Sequence, residues 1–299
     1  MSKPNSLIRG VQIGVTTYSF RSMPREPYKM LQYCIDSNIN AVELKGDEVE
    51  EFFGKPLNMV KMPPKVAGQP AKELDENTKA QLKAYAQSVA DWRTSVSMEP
   101  FEALGKKFRD AGIFIFAYKP NSLGAENTDG EIEYAMRAAK ALGASSVSVE
   151  LPADAAQTQR LGDLGQKNNV YVGYHAHLQA NETAWNNALA QSPFNTINLD
   201  CGHYIAAGNS NESLLAFIEN NHKRISSMHI KDRKSKANGG QNMPWGEGDT
   251  PLKDILNLMR RKKYKMPATI ELEYTLPAGS DAVKETKRCR DYAQQLLEG

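Results

Sequence analysis

Short runs of β-branched and aromatic residues recur along the chain, each followed by a stretch with apolar positions at helical spacing. "VQIGVT" precedes such a stretch at 27–37, "NAVELK" precedes helical segments within 76–111, "IFIFAY" precedes 129–142, and "SSVSVE" precedes 154–168. The second half continues with "VYVGYH" before 183–190, "NTINLD" before 211–220, "ISSMHI" before 251–261 and "PATIEL" before 281–297. Eight strand–helix units with no break in composition predict a parallel sheet with crossover helices. Eight is the number that closes a (β/α)8 TIM barrel, here a single α/β domain over 1–299. An open doubly wound sheet is the alternative, but the glycine-rich turn it would carry after the first strand is missing.

One unit is stretched. About 67 residues separate the second and third strands, and they include "GKPLNMVKMPPKVAGQP", with four prolines and little periodicity. The segment 46–95 is therefore expected to be an insertion, an extended loop and helix covering the barrel mouth; a decorative insertion fits equally well.

Within each strand the polar residues share one parity. Ser146, Ser148 and Glu150 alternate with Val147 and Val149; Asn198 and Asp200 with Ile197 and Leu199. Ser227, His229 and Lys231 alternate with Met228 and Ile230; Thr269, Glu271 and Glu273 with Ile270 and Leu272. Glu43 and Lys45 oppose Val42 and Leu44, and Lys119 opposes Phe116 and Tyr118. With the apolar set facing the helices, the polar set points into the barrel. His175 and His177, one residue apart in "VYVGYHAHLQ", join it.

Charge inside a barrel is costly unless it is paired or bound to a metal. These side chains gather at the C-terminal strand ends, where barrel enzymes build their sites. Glu150, Asp200, His229 and Glu271 offer three carboxylates and one imidazole, a set suited to one divalent ion such as Mn²⁺, Mg²⁺, Co²⁺ or Zn²⁺. The same four would also serve in an interior salt-bridge network with Lys119 and Lys231. Cys34, Cys201 and Cys289 form no C-x-x-C pair, which leaves no structural zinc site of thiolates. Cys201, beside Asp200, is expected to point away and pack.

Composition narrows the classes further. With 40% hydrophobic and 24% charged residues the chain reads as a globular protein, and a net charge of +2 lacks the surplus of a nucleic-acid binder. No apolar run reaches membrane-spanning length and the first residues lack a signal-peptide core. A cytoplasmic location is expected, or a periplasmic one if a leader has been removed.

The strand endings "SVE", "YHAH", "LDCGH", "HIKD" and "IELE", in that order, resemble the xylose isomerase-like TIM-barrel superfamily. The nearest branch is the sugar phosphate isomerase/epimerase group, with its ketose 3-epimerases, hydroxypyruvate isomerase and inosose dehydratase. "PWGEGDTPLKDIL" is similar to the G-E-G segment before that group's seventh helix, and "IGVTTYSF" looks like its first strand. The resemblance spans essentially the whole chain. It implies metal ligation by Glu150, Asp200, His229 and Glu271, with Glu150 and Glu271 doubling as the two catalytic bases. It also implies substrate contacts by His203, His175 and His177, where Ala176 departs from the usual H-N-H.

The expected activity is a metal-dependent isomerase or epimerase that acts on a ketose or keto-sugar through an enediolate. A divalent cation would stabilise the enediolate charge while one carboxylate removes the acidified proton. Lys119 or Lys231 could add positive charge near the oxyanion, Glu43 could hold a substrate hydroxyl, and Trp245 with Glu247 could form a sugar-facing wall. A lyase of the same superfamily, of inosose dehydratase type or eliminating from a keto-glycoside, is the runner-up. An apurinic-site endonuclease-like phosphodiesterase is weaker, because it needs histidines where Glu43 and Lys119 stand. A non-catalytic sugar-binding barrel is the remaining reading. The partner is expected to be a small carbohydrate, with no nucleic acid or membrane; a homo-oligomer is compatible with the sequence.

Overall fold

The computed structural model describes residues 3–63 and 73–299. Residues 64–72, the end of the proline-bearing stretch expected to form a loop, lie outside the described residues. Eight parallel strands follow in chain order: β1 Val11–Thr16, β2 Ala41–Lys45, β3 Phe114–Lys119, β4 Ser146–Glu150, β5 Tyr171–His175, β6 Asn195–Asp200, β7 Ile225–Ile230 and β8 Ala268–Ile270. Each pairs with the next, and β8 pairs back onto β1, closing the sheet. This is a single-domain (β/α)8 TIM barrel. A two-residue strand, Leu7–Ile8, adds antiparallel to the start of β1.

The outward row is apolar and fully covered by helices. Val42, Leu44, Val147, Val172, Ile197, Leu199, Met228 and Ile270 are all buried in one core. The helices carry local start and stop signals that match their bounds. Asp129–Leu142 opens with a capping box between Thr128 and Glu131 and closes on Gly143 at φ +90°, which a residue without Cβ adopts freely. Asp154, Ser210 and Asp281 cap their own helices through backbone N–H groups.

Two irregularities change the expected parity. Val42 is opposite Ile115 but Glu43 is opposite Ala117, so Phe116 is an extra residue in β3. Likewise Ile197 is opposite Ile225 and Asn198 opposite Ser227, so Ser226 is extra in β7. A bulge of this kind re-aims a side chain. Phe116, expected to face the helices, instead groups with Ala41 and Ala117 apart from the main core. Its Cε1 stands where a Cβ on Gly14 would be only 3.1 Å away. The ring plugs the barrel interior, and Gly14 makes room for it.

The long connection holds the helices Gly46–Phe52, Glu76–Ser95 and Glu99–Asp110. Glu99–Asp110 buries Phe101, Leu104 and Phe108 as a barrel helix does. Glu76–Ser95 leans on Asp129–Leu142, and Arg93 clasps the three pieces together. Its Nε and Nη2 donate to Glu50 at 3.0 and 3.1 Å, and its Nη1 donates to Glu131 at 3.0 Å. All three residues are buried, so the bidentate pair orients one helix against another at low dielectric.

Candidate active site

The C-terminal ends of β2 to β8 bring together most of the residues singled out from the sequence. Deepest lies Glu43, fully buried. Its Oε2 accepts from Ser148 Oγ at 2.8 Å and Asn198 Nδ2 at 2.9 Å, and its Oε1 faces His229 Nε2 at 3.0 Å. Burial would push this carboxyl up, but the imidazole of His229, Lys119 and Ser148 outweigh it and hold it down at about 2. Asn198 Oδ1 in turn accepts from His175 Nδ1 at 3.3 Å. Both Glu43 oxygens are thus engaged, and the residue supports the site from below instead of lining the cavity where a substrate hydroxyl would be.

Above this floor, four of the five histidines pack ring against ring. His175 lies 4.9 Å from His177, 5.7 Å from His203 and 4.9 Å from His229, and His177 lies 4.5 Å from His203. Burial, then His229 and Lys119, push the His175 imidazole well below its ordinary value. Burial, then Lys231, His177 and Arg233, push His203 down to about 2. His229 goes the other way. Burial lowers it, but Glu271 and Glu43 raise it to about 10.

The local chain path explains why Asp200 and His203 meet. β6 ends at Asp200, and the helix Cys201–Ala206 starts at once, with Asp200 Oδ1 accepting from the His203 N–H at 2.6 Å. The carboxylate caps the helix with one oxygen and presents the other to the site. Cys201 is buried at the first helical position, packed as expected although the strand does not continue. A Cβ on Gly202 would stand 2.6 Å from Lys231 Cγ, so only glycine lets this helix approach β7.

Two atoms in this group are buried without a hydrogen-bond partner: Asp200 Oδ2 and His229 Nδ1. They are 3.9 Å apart, and Glu271 Oε2 is 3.3 Å from the same nitrogen. Lys231 Nζ lies beside them, 3.1 Å from Asp200 Oδ2, 2.8 Å from Glu271 Oε2 and 2.5 Å from Glu273 Oε2. Burial would raise the Glu271 carboxyl, yet His229 and Lys231 hold it well below the usual carboxylate range. Among the described residues, three sets of three ligand atoms lie within 4.8 Å of one another: His175, His177 and His203; His175, Asp200 and His229; Asp200, His203 and Glu271. Glu150 belongs to none of these sets. It sits half exposed on the rim, 3.0 Å from Lys119 Nζ and 3.6 Å from His177 Nδ1.

A cavity of about 460 Å³ opens above the cluster, lined by Lys45, Lys119, Glu150, His175, His177 and Glu271 among others. Trp245 does not line it. That ring is buried at 6.4 Å from Tyr292 and borders a separate cavity with Tyr274 and Arg288. The loop carrying it is tied down by Asp232, whose carboxylate accepts from the N–H groups of Gly246, Gly248 and Thr250. This binding is the physical link between "HIKD" and the "GEG" segment.

Strand parity placed Ser148, Asn198 and Glu273 on the inward row but gave them no role; the structure makes Ser148 and Asn198 partners of Glu43, and Glu273 a partner of Lys231. Lys45, also on the inward row but given no role, lines the cavity. Arg233, whose Nη1 lies 2.5 Å from His203 Nδ1, follows the end of β7, where strand parity no longer applies. With Lys231 Nζ at 2.9 Å from Nε2 of the same ring, a neutral imidazole can accept from only one of the two cations.

The model of the xylose isomerase-like TIM barrel matches residues 83–292. The chain belongs to that family. No curated protein matches it in sequence. Its fold is similar to a sugar phosphate isomerase/epimerase from Parabacteroides distasonis, at 16% identity and TM-score 0.60, covering 95% of this chain and 94% of that one. It is similar to the IolI protein with a bound zinc atom, at 14% identity and TM-score 0.62, covering 96% and 98%. It is also similar to 3-keto-D-glucoside 4-epimerase from E. coli, at 11% identity and TM-score 0.61, covering 95% and 99%. At such identities the likeness is one of fold. No helix among the described residues is long and apolar enough to cross a membrane.

Proposed function

We propose that this barrel is a divalent-metal-dependent isomerase or epimerase of a ketose or keto-sugar. The observation that carries the reading is the convergence of buried ligand-type atoms from three strand ends: Asp200 Oδ2 is 3.9 Å and Glu271 Oε2 3.3 Å from His229 Nδ1, and the Lys231 ammonium is drawn in beside both carboxylates. Two carboxylates gathered in a buried site are expensive without positive charge, and a divalent cation is a partner that two carboxylate oxygens and an imidazole nitrogen can share. Asp200, His229 and Glu271 would hold it from β6, β7 and β8, with Glu150 joining from the rim. The Nδ1 position that a proton takes when His229 is an imidazolium would go to the ion, because the two compete. When bound, the ion supplies Lewis-acid polarisation of the substrate carbonyl.

The remaining work falls to side chains. His175 and His177 bind hydroxyls in the cavity, and Lys231 and Lys119 balance the carboxylates and favour negative charge on the substrate. Glu150 and Glu271, on opposite walls, take a proton from the carbon beside the carbonyl and return one. The insertion 46–95, in this reading, closes over the mouth and limits water.

Incubation of the metal-supplemented protein with candidate keto-sugars in D2O tests the whole reading. Deuterium should appear on the carbon next to the carbonyl, and Glu271→Gln should suppress it. A product of otherwise unchanged mass means isomerisation or epimerisation. Loss of water or of a glycosidic partner would replace this reading with a lyase.

A further inference from the structure

β2 and β3 end on two lysines side by side. Lys45 and Lys119 are register partners on these parallel strands, and both line the mouth cavity. Neighbouring strands stand ~4.8 Å apart, so like charges at this position repel unless an anion attends them. Lys119 has its anion in Glu150, 3.0 Å away. Lys45 does not. Its nearest carboxylate oxygen among the described residues is Asp47 Oδ2 at 4.0 Å. Both Asp47 oxygens already accept from Asn121 Nδ2, at 2.8 and 3.0 Å.

The Lys45 ammonium stands 5.3 Å over the Tyr18 ring, and the Arg21 guanidinium lies 4.5 Å from the same ring. Only 22% of the Lys45 side chain is exposed, so packing and the aromatic ring hold its charge at the cavity wall. Around the cavity wall, Tyr18, Lys45 and Lys119 at the ends of β1 to β3 form one cluster, flanked by Glu150 at β4 and by Glu271 and Glu273 after β8.

We propose that Lys45, with Lys119 and the Tyr18 ring, forms an oxyanion subsite, and that the substrate is an acidic monosaccharide. Its carboxylate or phosphate would lie at the end remote from the reacting carbon. The inference rests on the mouth being the substrate site, as the proposed function holds. Lysine binds carboxylate and phosphate alike as a point charge, and the ring of Tyr18 offers the sugar an apolar face. The volume of about 460 Å³ lies within the ~300–1,000 Å³ of small-ligand pockets.

Calorimetric titration of the full chain with D-glucuronate, inorganic phosphate and D-glucose tests this without turnover. At least one acidic probe should bind about tenfold or more tightly than glucose. Preference for glucuronate alone identifies a carboxylate, and preference for phosphate alone identifies a phosphate ester. Lys45→Met should bring the ratio down to about one, and Lys45→Arg should retain most of it. Lys253→Met, the same loss of charge on the outer helix Leu252–Lys262, should leave the ratio as it is. Equal binding of glucose and both acids, no binding of either acid, or an unchanged ratio in Lys45→Met overturns the proposal. Absence of deuterium exchange with every sugar would sink the isomerase reading and leave this binding result standing.

Discussion

The two ends of the barrel interior are built from the same eight strands and could hardly differ more in chemistry. Toward the C-terminal ends the inward row reads Glu43, Lys119, Glu150, His175, Asp200 and His229. A few residues earlier the interior is filled by Ala41, Gly14 and the bulged Phe116 ring. The lower layer carries no charged side chain, and its Phe116 ring borders a separate cavity with Gln12, Ser145 and Ser226. The upper layer confines carboxylates, imidazoles and ammonium groups, each of which would be prohibitive alone. They persist because each has a partner of opposite charge or a hydrogen bond, as Asp200 Oδ2 has in Lys231 Nζ at 3.1 Å and His229 in Glu43 and Glu271 at 3.0 and 3.3 Å. The contrast suggests that stability resides in one layer and chemistry in the other.

Substitutions in each layer should therefore separate the two properties. Glu271→Gln should lower deuterium exchange by about two to four decades, on the order of removing a general base, with a smaller change in unfolding free energy than the lower layer shows. Phe116→Ala should do the reverse. Emptying the ring's site should cost about 3–5 kcal/mol in urea denaturation, while exchange per folded molecule stays within a factor of a few. A loss of stability in Glu271→Gln as large as that in Phe116→Ala would break the division.

Glu43 lies between the layers and sharpens it through pH. Its folded carboxyl sits near 2 against an ordinary 4.5. The folded value is the depressed one, so its contribution is complete above about 4.5 and is lost as pH falls toward 2. In chelator-treated protein this amounts to about 3 kcal/mol, and Glu43→Gln should flatten that part of the stability curve. Unfolding curves collected from pH 6 down to pH 2 would read it directly.

Divalent ion should add stability by mass action, about 2.7 kcal/mol at a hundredfold excess over Kd. In Asp200→Ala that gain should vanish in a thermal melt, and an equal gain in the variant would remove Asp200 from the ligand set. The smallest effect is expected at the insertion. Leu57, Met59 and Met62 are well exposed, so replacing residues 57–72 with a short glycine–serine linker should change stability by under about 1 kcal/mol. Turnover should weaken if the segment covers the mouth; full activity after replacement would show that it does not.

Most of the site residues could be read from the strands because alternation of period two survives any tertiary context that keeps one face apolar. Glu43, Asp200, His229 and Glu271 converge as that alternation requires. Phe116 could not be read this way, since an extra residue resets the parity and depends on the neighbouring strand's register. Trp245 could not either. It lies in a loop whose path is set by the Asp232 carboxylate, and loops have no period.

Local pattern and strand count thus determined the barrel, its outward core row and the polar residues at its mouth, since each follows from near-neighbour geometry along the chain. The tertiary structure alone decided how those mouth residues divide. It engaged both Glu43 oxygens from below, drew Glu150 to the rim against Lys119, and brought Asp200 Oδ2, His229 Nδ1 and Glu271 Oε2 together beside the Lys231 ammonium. Distances between strands depend on closure, stagger and bulges, and these are properties of the assembled sheet rather than of any one segment.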